Sequence, residues 1–145
     1  MALFGPLDSN IGIGSATTTS DRSIGAGASA LGHLSHSFTT SERGPITVSM
    51  TFAPIYEDSS INCRCKLRLG SSNTSPYFPV AVQFNANHAQ HTSGAITWTF
   101  ADQAAGSYTA YVDVYNRDGT VILNYWSPGD SSWQNDILTV RYLTT

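Results

Sequence analysis

From Ser93 to Tyr125 the chain alternates apolar and polar residues with a period of two. Ile96, Trp98 and Phe100 are separated by Thr97 and Thr99. Tyr108, Ala110, Val112 and Val114 alternate with Thr109, Tyr111, Asp113 and Tyr115, and Val121, Leu123 and Tyr125 follow Asp118-Gly119. Successive side chains of a strand point to opposite faces of a sheet, so this is the signature of half-buried strands. Asp-Gly tolerates the positive φ angles of a tight hairpin. The stretch therefore predicts three strands in a row. The same period runs through Ile46, Val48, Met50 and Phe52, and through Ile61, Cys63, Cys65, Leu67 and Leu69. Residues 77–84, with Pro79 near their start, and residues 137–143, with Leu138, Val140 and Tyr142 facing inward, add two more strands. Roughly eight strands with short turns and no helical period predict an all-β, antiparallel β-sandwich.

Residues 1–44 look different. They are rich in Gly, Ser, Ala and Thr, and their apolar residues recur with neither a strand nor a helix period. A segment of this kind has no core of its own. It reads as an extended N-terminal arm that orders against a neighbour through Leu3, Phe4, Ile11, Ile13 and Ile24. The turn Ser41-Glu42-Arg43-Gly44-Pro45 then opens a body spanning residues 45–145. The glycine-rich GAGASALG (residues 25–32) matches neither phosphate-loop fingerprint, and no strand is expected before it.

Composition narrows the function. At 145 residues the chain is one domain's worth. A net charge of −3 argues against nucleic acid as a partner. No apolar run approaches the ~20 residues of a membrane span. The opening MALFGPLDSN lacks the basic and apolar regions of a secretory signal, which predicts synthesis in the cytoplasm. Cys63 and Cys65 share one strand face, where a disulfide between them would be strained; they read as small buried apolar residues. His33-x-x-His36 and His88-x-x-His91 have zinc-like spacing but no helix or thiol to complete a site. Glu57 and Asp58 are adjacent, so on a strand they point apart, which does not suit a pair of catalytic carboxylates. The expectation is a protein with no enzyme activity, no metal and no cofactor.

Charge and aromatics mark two candidate surfaces. Arg64, Lys66 and Arg68 line one face of a strand and read as a docking stripe for an acidic neighbour or as protection against edge association. Tyr111 and Tyr115 lie opposite the core face of their strand. The strand after Asp118-Gly119 is apolar on both faces, with Ile122 and Trp126 on its second face. A lone sandwich sheet presents one wet face. Tyr111, Tyr115, Ile122 and Trp126 are therefore read as a subunit interface, and Tyr111, Tyr115, Trp126 or Trp133 alternatively as a sugar-stacking platform.

The succession SGAITWTF…AAGSYTAYVDVYNRDGTVIL…NDILTVRYL resembles the closing half of small β-sandwich domains in tailed-phage virion proteins, many of them TNF- or C1q-type jelly rolls that trimerise. The resemblance covers about the last 50 residues. It implies a jelly roll; AAGSYTAYVDV is also similar to the tyrosine-bearing corner of immunoglobulin-like strands, which keeps that topology as the alternative. It further implies a virion structural protein, a capsid decoration (cement) or head-fibre subunit, with a homotrimer and the major capsid protein or another virion protein as partners. The alternative is a carbohydrate-recognising module of a phage fibre, with a surface glycan as ligand.

Overall fold

The computed structural model describes residues 10–18, 20–57, 61–83, 90–124 and 135–145. They form strands and turns: β1 (Asn10–Thr17), β2 (Arg22–Ile24), β3 (Ser29–Thr40), β4 (Gly44–Glu57), β5 (Ile61–Leu69), β6 (Asn73–Thr74), β7 (Phe78–Gln83), β8 (Gln90–Gln103), β9 (Gly106–Asn116), β10 (Val121–Leu123) and β11 (Ile137–Thr144). All pairings are antiparallel and fall into two sheets.

The first sheet has six strands. β8 and β11 flank β4, β10 pairs with the far end of β4, and β1 and β2 border β11 and β10. In the five-stranded second sheet β3 pairs β9, β9 pairs β5, and β5 carries β6 and β7 on its other side. β1 with β2 and β10 with β11 each act as one interrupted strand, and so do β6 and β7. Numbered as successive strand positions, the sheets then run 1-8-3-6 and 2-7-4-5. That order is a jelly roll, and the immunoglobulin-like alternative is excluded.

The core fills the space between the sheets. Ile46, Val48, Met50, Phe52 and Ile55 of β4, with Leu138 and Val140 of β11, face Cys63, Cys65, Leu67 and Leu69 of β5 and Ala110, Val112 and Val114 of β9. These are the inward positions the two-residue period marks. At one end Phe38 of β3 closes the gap, with its ring centroid 4.8 Å from Tyr142 and 6.0 Å from Tyr108.

Two expectations are corrected. The arm assigned to residues 1–44 is, from residue 10 onward, part of the sandwich. β1 pairs with β11 from Asn10↔Thr144 to Thr17↔Ile137, and β3 pairs with β9 along most of its length. Ile24, expected to dock a partner, is 3% exposed and belongs to the core. The inward positions of β1 are filled from elsewhere: a Cβ on Gly12 would collide with the Tyr142 ring, and one on Gly14 with the His36 ring. Rings of other strands occupy the room that β1 leaves empty, so β1 lacks the apolar inner residues that announce a strand. Leu3 and Phe4 lie outside the described residues.

The second correction concerns β8, β9 and β10, expected as neighbours. β8 and β10 belong to the six-stranded sheet and β9 to the other, so the chain changes sheet at each connection. Asp118-Gly119 makes a corner instead of a hairpin. Gly119 has φ +67°, and Asn116 Nδ2 fixes the bend by donating to the carbonyls of Gly119, Ile24 and Gly25.

Cys63 and Cys65 form no disulfide and are buried. Burial, with a smaller contribution from Cys63, pushes the Cys65 thiol from its ordinary value of 9.0 up to about 12. The folded state therefore holds this thiol protonated where the unfolded chain ionises it. The stability this difference supports is intact below about pH 9 and is lost as pH rises toward about 12. Two results are expected: slow thiol labelling of the native protein at pH 8, and a urea midpoint that falls between pH 9 and 11 more steeply than in Cys65→Ala. Rapid native labelling of both thiols, or identical slopes, would contradict the buried placement.

Candidate functional site

The outer face of the five-stranded sheet gathers most of the chain's distinctive polar and aromatic side chains. Because β5 and β9 are antiparallel neighbours in strict register, Arg64 stands opposite Tyr115, Lys66 opposite Asp113 and Arg68 opposite Tyr111. A row of three cations thus lies beside a row of tyrosine, aspartate and tyrosine. Both rows are outward because their neighbours Cys63, Cys65, Leu67, Val112 and Val114 occupy the core.

Arg68 and Asp113 form the rigid centre. Arg68 donates from Nε to Asp113 Oδ2 at 2.7 Å and from Nη2 to Oδ1 at 3.0 Å, a two-pronged pair. Its Nη1 donates to the Gly70 carbonyl at 2.9 Å, and Asp113 Oδ1 also accepts the Gly32 N–H at 2.7 Å. The bond to Asp113 raises the guanidinium pKa further above its ordinary range. Arg68 is therefore a fixed cation, lying 4.0 Å over the Tyr111 ring. Gly32, with φ +59°, sits in the irregularity of β3 between Ala30 and Leu34, and a Cβ there would meet the Tyr111 ring at 3.5 Å.

Toward the other end, Tyr77 brings Arg64 and Lys66 together. The Arg64 guanidinium carbon is 3.9 Å and the Lys66 Nζ 4.1 Å from the Tyr77 ring centroid, and the Tyr77 ring meets Tyr115 edge-on at 5.5 Å. Burial, then Asp113 and Tyr77, raise the Tyr115 hydroxyl above its ordinary value, so it stays protonated near neutrality.

Two concavities open on this face. One of about 610 Å³ is lined by Tyr108, Tyr111, Arg68 and the hydroxyl residues Ser37, Thr39, Ser71, Ser107 and Thr109, together with Phe38 and Gly70. Cross-strand hydroxyl pairs pave its floor: Ser37 with Thr109 at 2.8 Å and Thr39 with Ser107 at 3.1 Å. The other, of about 400 Å³, is lined by residues 27–29, Asn62, Arg64, Tyr115, Asn116 and Arg117.

The site residues expected from the sequence divide into three groups. Tyr111, Tyr115, Arg64, Lys66 and Arg68 come together on this face. Ile122 does not join them: it belongs to β10 in the other sheet, between buried Val121 and Leu123, so it faces the opposite side of the sandwich. The single patch of Tyr111, Tyr115, Ile122 and Trp126 is therefore not formed by Tyr111, Tyr115 and Ile122, because the chain changes sheet between them. Trp126, Trp133 and His88 lie outside the described residues. Ile11 and Ile13 are 68% and 64% exposed on β1, at the border of the six-stranded sheet. Tyr77, Asp113 and Arg117 were not singled out by the sequence, since only the pairing register and the connections before β7 and after β9 bring them here.

A second polar cluster is sealed inside. His33 Nε2 is 2.5 Å from Asp136 Oδ2, with side-chain exposures of 2% and 0%. Asp136 Oδ1 accepts the Ala53 N–H at 2.6 Å, and the Asp136 N–H donates to Asn124 Oδ1 at 2.9 Å. Asn124 Nδ2 in turn donates to the carbonyls of Thr18 and Ser20. The cluster ties β3, β4 and the entry to β11 together, and neither ring nor carboxylate can reach a substrate.

No family model and no characterised protein sequence matches the chain. Solved structures do. A segment of dimeric latent PorU from Porphyromonas gingivalis is 8% identical with a TM-score of 0.59, over 95% of this chain and 13% of that one. The VP2 subviral particle of infectious bursal disease virus is 10% identical with a TM-score of 0.49, over 92% of this chain and 32% of that one. TmCBM61, solved with β-1,4-galactotriose, is 10% identical with a TM-score of 0.37, over 90% of this chain and 87% of that one. The chain spans about an eighth of PorU and a third of VP2. The PorU likeness is one of fold alone, a β-sandwich recurring as one part of a much larger protein.

Proposed function

We propose that this protein is a non-enzymatic jelly-roll binding module that recognises a saccharide on the outer face of its five-stranded sheet. The observation that carries the reading is the 610 Å³ concavity, where the Tyr111 ring, a fixed guanidinium and a hydroxyl-paved floor converge. A sugar ring presents an apolar C–H face and a rim of hydroxyls that both donate and accept. The Tyr111 ring matches the first, while Arg68 and the Ser/Thr hydroxyls match the second. An open, half-polar hollow of this size suits one or two sugar rings.

A second reading keeps the module as a virion structural subunit, a capsid decoration or head-fibre protein of a tailed phage, associated as a homotrimer and with other virion proteins. It rests on Ile11 and Ile13, which leave two large apolar side chains open on a border strand. The two readings are compatible if the border strand docks and the opposite sheet binds.

Affinity electrophoresis against a panel of bacterial surface and plant polysaccharides, with solution mass measured in parallel, separates them. The saccharide reading expects binding by the wild type and a loss of at least about tenfold in Tyr111→Ala, with an unchanged circular dichroism spectrum. Wild-type protein that binds no member of the panel would overturn it. The structural reading expects an oligomer that Ile11→Lys with Ile13→Lys converts to a monomer; a wild type monomeric at high concentration would overturn that one.

A further inference from the structure

The smaller hollow on the same face has a chemistry of its own. It is lined by Arg64, Arg117 and Tyr115, with Asn62, Asn116 and the Gly27–Ser29 backbone as polar neighbours, and Lys66 projects from the same face two residues along β5. Asp113 is committed to Arg68, and Arg117 is 3.9 Å from Asp118. Arg64 and Lys66 have no carboxylate partner among the described residues, on a protein whose net charge is −3.

These two cations also share one aromatic partner. Both lie about 4 Å from the centroid of the single Tyr77 ring. The ring's π system favours each cation, but two like charges on one ring repel one another, which an anion bound beside them would relieve. Tyr77 therefore acts as a post for two like charges, of which Arg64 lines a hollow already supplied with hydrogen-bonding groups and Lys66 stands two residues along β5.

From this we propose that the ligand is an acidic polysaccharide, whose carboxylate or sulfate group sits at Arg64 and Lys66 while a neighbouring sugar ring occupies the larger hollow at Tyr111. The proposal rests on the saccharide reading above and names its ligand class. The geometry supports one chain reaching both hollows: Tyr111 and Tyr115 are four residues apart on one strand, about 13 Å at the usual strand rise. The Arg68–Asp113 pair between them is internally neutralised and leaves the charge at one end only.

The test uses the full chain and matched polymer pairs: polygalacturonate against its methyl ester, which removes the charge and keeps the sugar, and dextran sulfate against dextran. Retention by one acidic member at least about tenfold stronger than by its neutral partner is expected, weakening as salt is raised. The first pair reads carboxylate recognition and the second sulfate. Arg64→Gln combined with Lys66→Gln is expected to abolish the acidic preference and leave the neutral affinity within about twofold, since neither side chain lines the larger hollow. Tyr111→Ala should weaken both members of a pair. Equal retention of acidic and neutral partners would overturn this inference and leave the saccharide reading standing. Equal retention of polyglutamate would overturn it too, as unspecific attraction. Binding of no saccharide would remove both.

Discussion

A chain lacking residues 1–40 is expected to lose cooperative folding altogether. The deletion removes β1, β2 and β3, and with them three large core side chains: Ile24, Leu34 and Phe38. Burial of each contributes roughly 1.5–3 kcal/mol, so their loss alone approaches the whole ~5–15 kcal/mol stability of an ordinary domain. It also unpairs β9 on one side and leaves β11 and β10 as borders, exposing backbone that the intact sheets satisfy. The expected observation is a far-ultraviolet spectrum without the strand signal and no sigmoidal melt. A truncated chain that melts cooperatively near the full-length temperature would mean that β3 does not pack on β9.

Asp136→Ala is expected to be the most damaging single substitution. It removes the acceptor of the buried Ala53 N–H and strands His33 in a site with 2% exposure. Removing one partner of a buried charged or hydrogen-bonded pair costs about 3–5 kcal/mol, far more than the net worth of the bond, because the survivor stays desolvated. For a chain of this size that corresponds to a melting temperature lower by roughly 10–15 °C. Asp136→Asn should lose less, since its amide keeps one oxygen for Ala53 and offers an N–H to His33. Thermal melts of the three proteins decide the matter: a loss under about 1 kcal/mol in Asp136→Ala would show that the cluster does not brace the fold.

Strands were legible where the inward positions carry large side chains. β4, β5, β9 and β11 announce themselves because Val, Ile, Leu, Met and Cys recur every second residue against Thr, Ser and Arg. β1 reads backwards: its inward positions are Gly12 and Gly14, and its isoleucines point out, because Tyr142 and His36 fill the space beneath it. β2 is three residues long, and the extra residues of β3 between Ala30 and Leu34 interrupt its period. A glycine-rich arm and a glycine-rich border strand have the same composition. They differ only in what packs against them.

The same limit governs the binding face. The cationic row of Arg64, Lys66 and Arg68 and the outward Tyr111 and Tyr115 follow from period two. Which rows meet does not, because that depends on the register between β5 and β9. Asp118-Gly119 has identical chemistry in a hairpin and in a corner between sheets, so nothing local separates Ile122 from Tyr111. Tyr77, placed by the connection before β7, gives no periodic signal at all.

The strand order also governs how the molecule is made. β11 lies between β1 and β4, so β1 has no sheet partner until β11 has emerged from the ribosome. Among the described strands, only β5 with β6 and β7 combine short connections with direct pairing, and that element can form while synthesis continues. Proteins dominated by such distant pairings fold in about milliseconds to seconds, whereas translation adds about 5–20 residues per second. Synthesis as far as β11 therefore sets the pace. While the second half is being added, the apolar faces of β4 and β5 lack the β9 and β11 side chains that complete the core, and the nascent chain depends on its surroundings to keep them from associating with other chains.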